Sequence, residues 1–297
     1  MGFEQPVTLP NLPGMFFRSL FTVARNDQAE AGVQTLRAEF TAPAFSVTQL
    51  TRYQQAFDGF VSEVPLTLMY CLAQRVHLAQ MLGEEFPWPA PGLVHVSNSL
   101  EQHHTIQPSE GFHIKAVIKL PARGPNVSPR RLRPKFTVEF WQQGQHVVTC
   151  ISEYQVMPKQ SERPRKSRER KIVDAPCDPW QKINVWSLGC KVARDYARLS
   201  GDFNPIHLHP LLSRWFGFEQ PIIHGMYMSA RALAEIERHA QRPVHKLDVT
   251  FKRPVPLPAQ VTLWHQLHED GSGSYQVCGT TDYLQRLEGT FALAQDY

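Results

Sequence analysis

The sequence predicts an α+β protein in which one architecture occurs twice along a single chain. Three observations predict it: two long apolar helical runs, a group of short strand-like segments after each run, and a basic, proline-bounded seam between the two groups. The 297 residues, 42% of them hydrophobic and 20% charged, are enough for two cores of ordinary domain size.

The first helical run, VPLTLMYCLAQRVHLAQML (residues 64–82), opens on Pro65, whose fixed φ suits a first helical turn. The second, QPIIHGMYMSARALAEIERHA (residues 220–240), follows Pro221 in the same way. After the first come GLVHVSNSLEQHHTI, GFHIKAVIKL, KFTVEFWQ and HVVTCISEYQV. After the second come VHKLDVTFKRPV, QVTLWHQLH, SYQVCGTTDYL and RLEGTFALA. Their β-branched and aromatic runs, broken by Gly and Pro, suit antiparallel strands.

A helix with so few charges needs burial on nearly every side, and an antiparallel sheet curled around it supplies that burial. This is the plan of the hotdog fold, so the repeat predicts a double hotdog with sheet beside sheet, monomeric or as a homodimer. Ser229, Arg231 and Glu235 interrupt the second apolar run and predict a stripe that stays accessible or faces a neighbouring domain. The seam, PKQSERPRKSRERKIVDAP (residues 158–176), is rich in Lys and Arg with almost no apolar residue before Ile172, a linker composition. The predicted division is therefore an N-terminal hotdog over 1–158, a basic linker over 159–177 and a C-terminal hotdog over 178–297.

Composition narrows the partners. A formal charge of +4 is too small to argue for nucleic acid and is compatible with a phosphate-bearing ligand. The five cysteines, Cys71, Cys150, Cys177, Cys190 and Cys278, are odd in number, scattered and without a C-x-x-C pair. Neither a disulfide framework nor a zinc site is indicated, and reduced thiols in the cytoplasm are the simplest reading. The opening MGFEQPVTLPNLPG has no basic region followed by an apolar run, and no stretch approaches the roughly 18 apolar residues of a membrane span. Neither export nor a membrane span is expected. Pro6 stands where a myristoylation signal needs Ser or Thr.

Titratable side chains concentrate in LSGDFNPIHLHP, residues 199–210. Pro205 biases Asn204 toward extended backbone and Gly201 permits a tight turn, so this loop can aim Asp202 and His207 into one space. A carboxylate beside an imidazole can hold a water, polarise it and handle its proton. Taken singly, Ser200, Asp202 and Asn204 are ordinary cap or turn residues. His207 and His209 form an H-x-H pair without a third convergent ligand nearby, so no metal is expected. His103 and His104 read as a surface pair at a strand end. The helix beginning near His224 offers unpaired amides to a developing negative charge, and Gly225 leaves its amide unobstructed.

The stretch LGCKVARDYARLSGDFNPIHLHPLLSRWFGFEQPIIHGM, residues 188–226, resembles the MaoC-type hydratase/dehydratase family, the (R)-specific enoyl-CoA hydratases. The shared pattern falls on Tyr196, Ala197, Ser200, Gly201, Asp202, Asn204, Pro205, His207, Gly217, Phe218, His224 and Gly225. VTFKRPVPLPAQVTLW also resembles the family's strand after the central helix. The resemblance covers the C-terminal third to two-fifths of the chain; the N-terminal half matches in architecture only. Its segment FDGFVSEVP (residues 57–65) stands where the motif would fall but lacks Asn-Pro-x-His, so that half reads as catalytically degenerate.

The resemblance implies a hydro-lyase of fatty acid metabolism that hydrates trans-2-enoyl thioesters to (R)-3-hydroxyacyl thioesters, or runs the reverse dehydration. It implies Asp202 and His207 as the catalytic pair, Gly225 at the oxyanion, and Ser200, Asn204 and His224 in support, with no cofactor. Coenzyme A is preferred as the carrier, with acyl carrier protein as the other partner. Lys252 and Arg253, in FKRP, are the first candidates to meet coenzyme A phosphates, ahead of Arg194, Arg198 and Arg214. Two other functions compete. An acyl-CoA thioesterase would commonly place its carboxylate on or beside the central helix, and no acid lies between Ile222 and Glu235. A non-catalytic acyl-thioester-binding subunit would not need the full Ser200 to His207 motif.

Overall fold

The computed structural model describes residues 6–10, 15, 18, 22, 34–122, 132–157 and 173–295. Of the expected linker over 159–177, residues 159–172 lie outside the described residues. The chain forms two compact units, Met1–Ser46 with Met69–Ser167, and Val47–Leu68 with Arg168–Tyr297. Residues 47–68 therefore fold with the C-terminal part of the chain, where a split at the seam alone would leave them with the N-terminal half. Helix α1 (Val47–Ala56) lies in that segment, and helix α2 (Leu66–Leu82) begins there and runs on into the first unit.

In the first unit, β1 (Val7–Thr8), β2 (Gln34–Ala42), β3 (Leu93–Gln102), β4 (Phe112–Leu120), β5 (Lys135–Gln142) and β6 (Gln145–Val156) line up in the order β1-β2-β4-β5-β6-β3. All neighbours are antiparallel except the short β1 beside β2. Gln143 and Gly144 both take positive φ, 49° and 80°, the geometry that lets a two-residue turn follow the twist of β5 and β6. Alternation along β4 buries Phe112, Ile114, Ala116, Ile118 and Leu120, so this sheet has one inner face. Helix α2 fills that face: Met81 packs with Leu36, Leu93, Ile118 and Phe136, and the ring of His77 lies 4.9 Å from that of Phe136.

In the second unit, β7 (Gln181–Leu188), α3 (Lys191–Ser200), α4 (Pro210–Trp215) and α5 (Gly225–Ala240) precede β8 (Val244–Phe251), β9 (Ala259–Leu267), β10 (Ser272–Gly279) and β11 (Gln285–Leu293). The strands run antiparallel in the order β8-β11-β10-β9-β7. Each unit is thus one long helix against an antiparallel sheet, and the chain is the double hotdog that the repeat predicts. No helix among the described residues is long and apolar enough to cross a membrane.

The stripe expected at Ser229, Arg231 and Glu235 is largely closed. Ser229 and Glu235 are buried, and Glu235 accepts a 2.7 Å hydrogen bond from Asn184 and pairs with Arg238. The Arg231 guanidinium lies over the Trp186 ring, 4.9 Å from its centroid. Two residues beyond Glu235, buried Glu237 accepts backbone N–H bonds from Val61 and Ser62, each 2.9 Å, and from Val244, 3.0 Å. Glu235 and Glu237 sit in this helix because neighbouring backbone and side chains satisfy them, which periodicity alone cannot distinguish from solvent exposure.

Candidate active site

Helix α3 ends at Gly201, whose φ of 81° is left-handed and whose N–H bonds Ala197 O at 2.8 Å. A side chain there would be strained, so glycine lets the chain turn off the helix. A ladder of short-range bonds shapes the loop beyond it. Ser200 Oγ donates to Tyr196 O (2.8 Å) and accepts from Asp202 N (3.2 Å). Asp202 Oδ1 accepts from Asn204 N (3.2 Å), and Asn204 Oδ1 accepts from Ile206 N (3.3 Å), capping the 3-10 turn Pro205–His207. Ser200 and Asn204 therefore shape the loop, and Asp202 both shapes it and presents a carboxylate.

His207 is buried at the end of that turn, and its Nδ1 is 2.7 Å from Ile222 O. A carbonyl only accepts, so Nδ1 carries the proton and Nε2 keeps the lone pair. Ile222 is held in place because Ile223 N bonds Val255 O and Leu257 N bonds Pro221 O. His224, also buried, precedes α5 and donates from Nε2 to Asp202 O at 3.0 Å, while its Nδ1 has no hydrogen-bond partner among the described residues. The His207 and His224 rings stack with centroids 3.6 Å apart. An Asp202 carboxylate oxygen and one nitrogen from each ring lie within 4.8 Å of one another, close enough for one water to touch two of them.

Both imidazoles are held neutral. Burial pushes the His207 pKa below its usual value, opposed by the Asp202 charge and the Ile222 carbonyl. Burial, reinforced by His207, pushes His224 down to about 3. Burial likewise depresses His77 to about 3 and His265 to about 4. Unfolded histidines titrate near ~6.5, so below that pH the unfolded chain binds more protons than the folded one and stability falls with acidification. The urea midpoint is expected to drop steadily between about pH 6.5 and about pH 4. A midpoint flat across that window would contradict neutral burial of these rings.

Gly225 opens α5, where first-turn amides have no partner within the helix. A Cβ there would sit 2.5 Å from the Phe251 ring, so close packing joins amide access as a reason for glycine. Lys252 and Arg253 directly follow Phe251 and are exposed. Lys252 Nζ lies 2.5 Å from Glu288, and Arg253 donates to Gln285 O at 3.0 Å. They are not part of the acid/base cluster. His209 is not part of it either: its Nδ1 accepts from Leu211 N and caps α4. The third converging group absent from the local sequence is His224, brought in by the fold. His103 and His104 are exposed at the end of β3, bonded to Thr149 Oγ1 and His146 O.

Sequence reasoning missed Phe57, Tyr227 and Glu237. Phe57 and Tyr227 form an aromatic group with Tyr196 beside His224, and Glu237 anchors residues 61 and 62. The available signals were the aromatic pair in FDGF and an acid inside an apolar helix.

Residues 161–287 match the family model described as MaoC like domain. The 3-hydroxyacyl-thioester dehydratase X of Mycobacterium tuberculosis is 27% identical over 273 residues, covering 88% of this chain and 89% of that protein. The (R)-specific enoyl-CoA hydratase of Aeromonas caviae is 49% identical over 35 residues, 12% of this chain and 26% of its own. The crystal structure of HtdX from Mycobacterium tuberculosis shares the fold, with a TM-score of 0.65 at 23% identity over 88% of this chain and all of that one.

Proposed function

We propose that this chain, whose residues 161–287 match the MaoC like domain model, reversibly adds water to trans-2-enoyl thioesters to give (R)-3-hydroxyacyl thioesters. The protein is a hydro-lyase. The observation that carries the specific reading is the convergence, within 4.8 Å, of the Asp202 carboxylate and the neutral His207 imidazole beside the first amides of α5.

A water held between Asp202 and His207 Nε2 gives a proton to this pair as its oxygen bonds C3. The C2=C3 electrons move through C1 onto the thioester oxygen, where the Gly225 N–H donates to the growing charge. The enolate then returns its electrons to C2, which takes a proton from the pair. One water is added, and no oxidant, metal or cofactor enters. Dehydration is the same path reversed.

The central helix supports hydration over thioester cleavage. Its acids, Glu235 and Glu237, are buried and bonded to Asn184, Arg238 and three backbone N–H groups, so neither is available to attack or activate a nucleophile. Among the described residues none of the five cysteines forms a disulfide, in keeping with the proposed reducing compartment, the cytoplasm. The test is loss of enoyl absorbance on addition of protein to enoyl-CoA and to enoyl acyl carrier protein. Hydration with the coenzyme A ester, unaffected by a chelator, is expected. Release of free thiol without enoyl loss would overturn the reading.

Coenzyme A also brings phosphates, for which exposed Lys252 and Arg253 are the proposed cations. Changing both to Ala is expected to raise KM severalfold, flatten its salt dependence and leave kcat nearly intact, because such contacts act equally on ground and transition states. Lys252 is shared with Glu288, so Arg253 carries the larger part. An unchanged KM at low ionic strength removes both from the site.

A further inference from the structure

The segment FDGFVSEVP has no Asn-Pro-x-His, yet it is tightly held by the catalytic unit. Gly59, at φ 133°, passes so close to α5 that a Cβ would lie 2.6 Å from Ala234 O. Glu237 grips the N–H groups of Val61 and Ser62. Between these anchors and α1, Phe57 is buried against Tyr53 and Phe60, at centroid distances of 5.0 and 6.2 Å. Its ring also lies 6.0 Å from Tyr196 and 5.4 Å from Tyr227. Tyr196 in turn meets His224 at 5.0 Å, nearly edge to face, and His224 stacks on His207. A continuous row of rings therefore runs from Phe57 to the imidazole proposed to handle the proton.

We propose that Phe57 is a positioning residue for the hydration, its ring fixing Tyr196 and through it the His224–His207 stack, so that the half without the motif supplies part of the catalytic geometry. The inference rests on the hydro-lyase reading. Such ring contacts are directional, and they hold an orientation more strictly than an aliphatic side chain of similar volume. Small displacements matter here, since misplacing a reacting group by about 1 Å can cost about 10²-fold in rate.

Phe57→Leu keeps most of the buried volume and removes the ring; Phe57→Tyr keeps the ring. For Phe57→Leu, kcat is expected to fall about tenfold or more with KM within about twofold of the parent. The imidazole NMR resonances of His207 and His224 are expected to move in the same variant. Phe57→Tyr should restore both readouts. Unmoved resonances with parental kcat in Phe57→Leu would overturn the proposal. So would a change confined to KM or acyl-chain preference, which would make Phe57 a substrate wall instead. Should the parent protein show no hydration at all, the functional reading fails separately, and the resonances alone still decide whether Phe57 controls the histidine stack.

Discussion

Replacing Asp202 with Asn lowers turnover about 10²–10⁴-fold with little change in thermal stability, the expected cost of losing a positioned acid/base group. The amide oxygen of Asn can still accept from Asn204 N, as Asp202 Oδ1 does at 3.2 Å, so the loop keeps its ladder while the charge is lost. His207→Ala is expected to lose activity over the same range, about 10²–10⁴-fold, but also some stability. It empties a buried site and leaves Ile222 O without its 2.7 Å donor, a loss of about 1–3 kcal/mol. His207→Gln, with a donor to offer Ile222, separates the two effects. Parental turnover in Asp202→Asn would remove the catalytic assignment, whatever the stabilities show.

The second large effect is expected at Gly225. An added methyl meets the Phe251 ring at 2.5 Å, and overpacking of that kind costs about 1–3 kcal/mol. If the helix start shifts to relieve the clash, the amide proposed for the thioester oxygen moves with it, and losing such a donor costs up to about 10²–10³ in rate. Gly225→Ala should therefore lower both Tm and kcat. Combining it with Phe251→Leu opens space for the methyl and should recover Tm. Recovery of kcat in the same double variant would trace the defect to displacement of the amide. A Gly225→Ala variant with lowered Tm and parental kcat would mean that the Phe251 ring yields and the helix start stays in place.

The loop proposed to carry the chemistry is legible in the sequence because its structure is local. The bonds that shape it join residues two to four apart, from Ser200 and Tyr196 through Asn204 and Ile206. The repeat of helix and strands is legible for a similar reason, since apolar runs and turn residues record each element separately. The bonds that orient the histidines span more of the chain. His207 meets a carbonyl fifteen residues on, and His224 meets one twenty-two residues back. Glu237 reaches Val61 and Ser62 across 176 and 175 residues, which is why a segment written in the first half folds with the second. The same limit explains the closed stripe on α5, where the partner that buries Glu235 is Asn184 on another element. It also explains why His207 and His209 stand out in the sequence as a possible ligand pair while His224, the residue that converges, enters there only in a supporting place.

The proposed reaction places the oxygen of water on C3 of an enoyl thioester. Its most direct test is to incubate the protein with a trans-2-enoyl-CoA in water enriched in oxygen-18 and to locate the label by mass spectrometry. The expected product is a 3-hydroxyacyl-CoA of (R) configuration with one labelled oxygen on C3 and an unlabelled thioester carbonyl, its labelling slowed about 10²–10⁴-fold by Asp202→Asn. Label found in a released carboxylic acid, alongside free coenzyme A and an intact C2=C3 bond, would contradict it.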